Sequence, residues 1–180
     1  MPPAALSLRF IALAASTLMS CTGGGASKSN GPTPQPSRST PQPQMQITLR
    51  GARVAPNGIL AFRSSAQLAA IGTNCWTKYS GTTPLVTSCK DAAGPREPDS
   101  YLAVPLGATI KLDTDATTVT GSVDQVTRNG SSFDVQTVQG LTFVPGTDSL
   151  TVPKGDYVLE LFAMWEGEGD ATYYFGIRVV

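Results

Sequence analysis

The sequence predicts an all-β domain, and three observations predict it. From Met45 onward apolar and polar residues alternate with a period of two. No segment sustains a 3.6-residue period, and the one helix-like piece is the short "SAQLAAI" at 65–71. Charged residues make up only 14% of the chain, below the usual quarter. Thr, Ser, Gly and Val stand in their place, the profile of an extracytoplasmic β protein. Residues 45–180 are long enough for one compact core.

The strands follow in order. "QITLRGARV" puts Ile47 and Leu49 on one face, and "GILAFR" follows the turn signal Pro56-Asn57-Gly58. "YLAVPLGATIKLD" reads as strands at 101–104 and 109–112 around a turn at 105–107. "TTVTGSVDQV" alternates Val119, Gly121 and Val123 against Thr118, Thr120 and Ser122. Asn129-Gly130-Ser131 fits both a hairpin turn and a glycosylation sequon, and "SFDVQTV" leads back. The last thirty residues predict two long strands around an acidic turn. Tyr157, Leu159, Leu161, Ala163 and Trp165 share one face of the first, and Tyr173, Phe175, Ile177 and Val179 one face of the second. The opposite face of the first carries Val158, Phe162 and Met164, and a strand apolar on both sides belongs in the middle of a sheet.

At "VPKGDY" the placement of Tyr157 resembles the tyrosine corner of immunoglobulin-like and fibronectin-type domains. That resemblance implies an antiparallel β-sandwich, with Tyr157 in a structural role. No Cys stands two residues after Tyr157, so the resemblance is to the sandwich class rather than to an antibody domain. A looser resemblance runs over about residues 68–180: Cys75-Trp76, then Cys89, then "GDYVLELFAMWEGEGDATYYFGIRVV" is similar to a group of bacterial envelope lipoproteins. It implies an envelope location and no defined activity.

Residues 1–20 have the layout of a secretory signal peptide: Arg9, then the apolar run "FIALAASTLM", too short to span a bilayer comfortably. Leu18-Met19-Ser20-Cys21 resembles the lipobox of bacterial lipoproteins. The resemblance implies cleavage before Cys21, a thioether-linked diacylglycerol on its sulfur, and acylation, typically with palmitate, of the new amino terminus. Each buried methylene of such chains contributes about 0.8 kcal/mol, enough in sum for a firm membrane anchor. Thr22 in place of Asp after the cysteine resembles the sorting pattern for the outer membrane, in a host that has one. Residues 21–44 then read as the lipidated cysteine and a disordered linker, with three consecutive glycines followed by Pro32, Pro34, Pro36, Pro41 and Pro43. Such a linker reaches roughly 70 Å when extended and about 26 Å as a coil.

Composition excludes several functions. The 13 basic residues balance 13 acidic ones, and losing Arg9 with the leader tips the balance negative, so nucleic-acid binding is not expected. The chain has no histidine, which removes Ser–His and Cys–His catalysis. No cofactor fingerprint occurs, and no cofactor is expected.

With Cys21 lipidated, Cys75 and Cys89 form an even pair that an oxidising compartment bridges, closing a polar loop. Trp76 and Tyr79 beside it, and Trp165 near the end of a strand, are candidate ligand contacts. The competing reading makes the tryptophans core. Glu166, Glu168 and Asp170 place oxygen ligands at alternate positions, a weak metal signal in a turn that needs Gly and Asp anyway. The expected function is non-enzymatic: a membrane-anchored binding module of the envelope, its partner an envelope protein or a glycan. The alternative is a structural accessory subunit of an envelope complex, with a carboxylate-based hydrolase ranked last.

Overall fold

The computed structural model describes residues 41–50, 55–92, 94, 97–143 and 146–180. The signal segment, Cys21 and the linker as far as residue 40 lie outside these residues. Twelve strands make up the described chain, with no helix. They form two sheets packed as a sandwich. In the smaller sheet the order is β10 (Thr147–Ser149), β7 (Thr109–Thr114), β1 (Gln44–Leu49), β2 (Ile59–Phe62), β3 (Ser65–Leu68). In the larger it is β5 (Thr83–Lys90), β4 (Ala70–Ser80), β12 (Gly169–Val179), β11 (Gly155–Trp165), β8 (Thr118–Asn129), β9 (Ser132–Leu141). The short β6 (Leu102–Val104) also joins β12, on the edge that β4 leaves open. All pairings are antiparallel except β1 with β7 and β6 with β12.

Period-two alternation builds the core between the sheets. Met45, Ile47 and Leu49 point inward from β1, and Leu159, Leu161, Tyr173, Phe175 and Ile177 meet them from β11 and β12, all with no solvent exposure. β11 and β12 pair over eleven residues, from Gly155↔Val179 to Trp165↔Gly169, and occupy the middle of the larger sheet. This is the position that their two apolar faces predict.

Two sequence expectations give way. The stretch 65–71 is not helical: it is β3 and the first residues of β4, with Ala69 between them as the chain passes from one sheet to the other. A run of small and apolar residues suits that corner, because both sheets approach it closely. The segment between Cys75 and Cys89 is not a loop but a hairpin of β4 and β5 around Gly81-Thr82. Its polar sequence hid the strands because β5 is exposed over its whole length. The Asn129-Gly130-Ser131 site is the hairpin turn between β8 and β9.

The Tyr157 hydroxyl donates to the Pro153 carbonyl at 2.9 Å, the bond by which a tyrosine corner ties a strand to the chain just before it. The ring is fully buried, and burial pushes the phenol pKa up. Tyr157→Phe keeps the packing and deletes that one bond. Urea denaturation should show a loss of about 1 kcal/mol; an unchanged midpoint would mean the bond adds nothing.

Candidate functional site

The structure gathers the sequence's candidate contacts at one end of the larger sheet. Trp76 and Trp165 both lie opposite Gly169, one on each side of it. The missing side chain of Gly169 is what lets the two indoles meet: a Cβ there would fall 2.9 Å from Trp76 Cδ2 and 2.1 Å from the Cys75 carbonyl oxygen. The ring centroids are 5.3 Å apart, and the two residues are 7% and 5% exposed. Trp165 Nε1 donates to Asp115 Oδ1 at 2.8 Å. This pair is core, and of the two only Trp165 borders the hollows beside the turn.

Tyr79 is different: it is 39% exposed, and its hydroxyl donates to the Gly167 carbonyl, tying the β4–β5 hairpin to the acidic turn. Further bonds seat the turn. The Thr77 amide donates to the Glu168 carbonyl at 2.8 Å, and the Glu166 amide to Thr117 Oγ1 at 3.1 Å. Glu166 and Glu168 occupy the turn itself, whereas Asp170 stands on β12 opposite Met164 and Cys75. Among the described residues no group of three His, Cys, Asp or Glu side chains is placed to hold a metal ion. Open hollows of about 330, 310 and 230 Å³ surround the turn, bordered by Tyr79, Thr77 and Asp115 respectively.

Cys75 and Cys89 are bonded and sit directly opposite each other on β4 and β5. The bridge crosses two neighbouring strands of one sheet rather than joining the two sheets. It pins an edge strand whose eight residues are all exposed, with Leu85 at 65% and Val86 at 54%. On the outer face of the larger sheet, Phe162 and Met164 are about two-fifths exposed.

A strap crosses the other half of that face. The chain between β5 and β6 passes over Gly176, where a Cβ would lie 2.3 Å from the Ser100 carbonyl oxygen. An ionic latch holds it. Arg128 donates to Glu97 at 2.7 Å and to the Tyr101 hydroxyl at 2.9 Å, and Arg178 grips Asp156 with two bonds of 2.6 and 2.9 Å. Both guanidinium groups lie over the Tyr101 ring. Beside the strap are three residues that sequence reasoning passed over: Asp124, only 3% exposed with Oδ1 lacking a donor, Glu160, and Tyr174. Register places Tyr174 opposite Glu160 on β11, and Asp124 on β8 opposite Val158, two pairs further along.

The two carboxylates at the latch and beneath it respond to pH in opposite directions. Hydrogen bonding from Arg178, against some desolvation and with help from Arg128, holds Asp156 below the usual carboxylate range. Its charge therefore adds stability above about pH 4, which is lost as pH falls through the depressed value. Glu160 is pushed up, first by burial and then by Asp124. Its ionisation costs stability, and acidification through the raised value removes that cost. Asp156→Asn should melt lower than the parent at pH 7 and converge with it in acid. Glu160→Gln should melt higher at pH 7 and likewise converge. Melting curves from about pH 2 to 7 check both signs.

No protein-family model, curated protein or solved structure matches the chain.

Proposed function

We propose that the chain is an extracytoplasmic lipoprotein, anchored through Cys21, whose sandwich acts as a non-catalytic interaction module of the cell envelope. One observation carries the reading. The β4–β5 hairpin is pinned by a disulfide and by Tyr79, yet presents an edge strand with Leu85 and Val86 more than half exposed. A pre-ordered apolar edge loses little entropy on docking, which favours a protein partner over a free glycan. The disulfide suits an oxidising compartment. Burial of both tryptophans argues against the aromatic platform that a glycan site needs. The same exposed strand favours the second reading, an accessory subunit docked in an envelope complex.

The test is a photo-crosslinking residue at Leu85 or Val86 of the full, lipidated chain in its own cells, with Thr137 on the far edge strand as control. The reading expects one protein adduct, shared by the two hairpin positions, absent at the control, and lost on Thr87→Lys. Equal adducts at all three positions would sink it. Fatty-acid labelling that persists in Cys21→Ser would sink the anchor.

A further inference from the structure

β5 is the outermost strand of its sheet, so part of its backbone bonds to β4 and part faces away. Three observations fix which part. The Cα atoms of Cys75 and Cys89 are 4.0 Å apart. That is the spacing of a narrow antiparallel pair, which exchanges no backbone bonds; a bonded pair stands at about 5.5 Å. Two residues away, the Oγ1 atoms of Thr77 and Thr87 lie 2.9 Å apart, as side chains of another narrow pair do. The Thr77 amide donates to the Glu168 carbonyl, on the side away from β5. The amides and carbonyls of Thr87 and Cys89 therefore point outward, off the edge of the sheet. Ser88, between them, bonds inward to Trp76.

β5 differs from the other three sheet edges. Gln67 ties β3 to the strap, and Gln139 ties β10 to β9. β9 carries Asp134 in mid-strand and a bulge that leaves Val138 without a partner residue. Charges and bulges of that kind keep edges from pairing. β5 has no charge over 83–89. Its own bulge, at Leu85, and Pro84 lie at one end, which leaves 86–90 regular in register.

β5 of a second copy meets these groups. Set antiparallel, Thr87 of each copy faces Cys89 of the other, with Ser88 on the two-fold axis. Four backbone bonds form, and every outward amide and carbonyl of the two residues is used. Val86 lies opposite Lys90 of the second copy, whose hydrocarbon stem covers it. The two lysines stand four residue steps apart, about 13 Å, beyond the screening length of roughly 8–10 Å. The chain's own proline-rich linker does not fit, since Pro32, Pro34 and Pro36 lack donors at alternate positions.

We infer that two copies of this chain pair through β5, joining their larger sheets into one continuous sheet. The inference rests on the hairpin as the docking element and names its partner.

The test sediments the full lipidated chain, with detergent micelles in excess over chains, from about 1 to 300 µM. The mass should rise to that of a dimer. Thr87→Pro deletes an outward donor that β4 does not use, so the hairpin keeps its ladder. It should weaken dimerisation at least about tenfold, with the melting temperature of the dilute monomer unaltered. Thr87→Val keeps the amide and should dimerise like the parent. In cells carrying two differently tagged copies, a photo-crosslinker at Ser88 should give an adduct bearing both tags. A monomer at every concentration, a Thr87→Pro dimer as tight as the parent's, or a Thr87→Val variant as weak as Thr87→Pro would each overturn the inference. Crosslinks from Leu85 and Val86 to a different protein, with none between copies, would overturn it and leave the proposed function standing. No adduct at all would remove both.

Discussion

Gly176→Ala is expected to lift the strap off the larger sheet, at a cost well beyond that of one added methyl group. The new Cβ would sit 2.3 Å from the Ser100 carbonyl oxygen and 2.7 Å from Pro98 Cβ. The nearer contact is backbone, so no side-chain rotation relieves it. β12 cannot retreat, because β11 pairs with it over its full length and β4 and β6 flank its other edge. The strap has to move instead, and its ties go with it: Glu97 and Tyr101 to Arg128, and Gln67 to Ser100. Val158, Tyr174 and Asp124 then meet water. Overpacking of this kind costs about 1–3 kcal/mol, and the lost latch adds to it. Chemical denaturation measures the loss, with Gly140→Ala as control, since nothing lies within 4 Å of a Cβ at Gly140. Equal stability of the two variants would show that the strap does not rest on Gly176.

The second large effect is that of Cys75→Ser with Cys89→Ser. The bond spans 14 residues of sequence, and closing such a loop stabilises a fold by about 3 kcal/mol in the chain-entropy model. The loss should be uneven. β5 buries none of its eight residues and touches the sheet only through β4. Without the bridge, little except backbone bonds to β4 retains it. Hydrogen exchange should therefore lose protection across 83–90 while β11 and β12 keep theirs. Unchanged protection in β5 would show that the backbone ladder and Tyr79 hold the hairpin without the bridge.

How much of this was legible depended on burial. β11 and β12 were readable because each long strand lies in the middle of a two-layer structure, and burial imposes strict alternation on its inner face. β5 was unreadable for the opposite reason: nothing covers it, so Thr, Pro and Ser are tolerated and no pattern forms. The corner at 65–71 misled because a short, small, apolar run satisfies a helix turn and a sheet switch equally well. The tryptophans were ambiguous in sequence, and Gly169 resolves them, since only its pairing partners reveal that the two indoles meet across it.

Of the strap and what lies beneath it, one signal was available. Glu160 is a carboxylate inside "YVLELFAMW", where a charge between apolar neighbours has to face something particular. Gln67 and Ser100 gave none, because they sit in a corner and a strap without periodicity.

The sequence by itself determined the all-β class, the inner faces of the terminal hairpin and the pairing of Cys75 with Cys89. The first two follow from local alternation, and the third from setting Cys21 aside, which leaves two cysteines to pair. Only the tertiary structure decided which outer surfaces are covered. The strap and the bare edge of β5 arise from segments far apart in the chain meeting on one face. Contacts of that kind leave no periodic trace in the residues that make them.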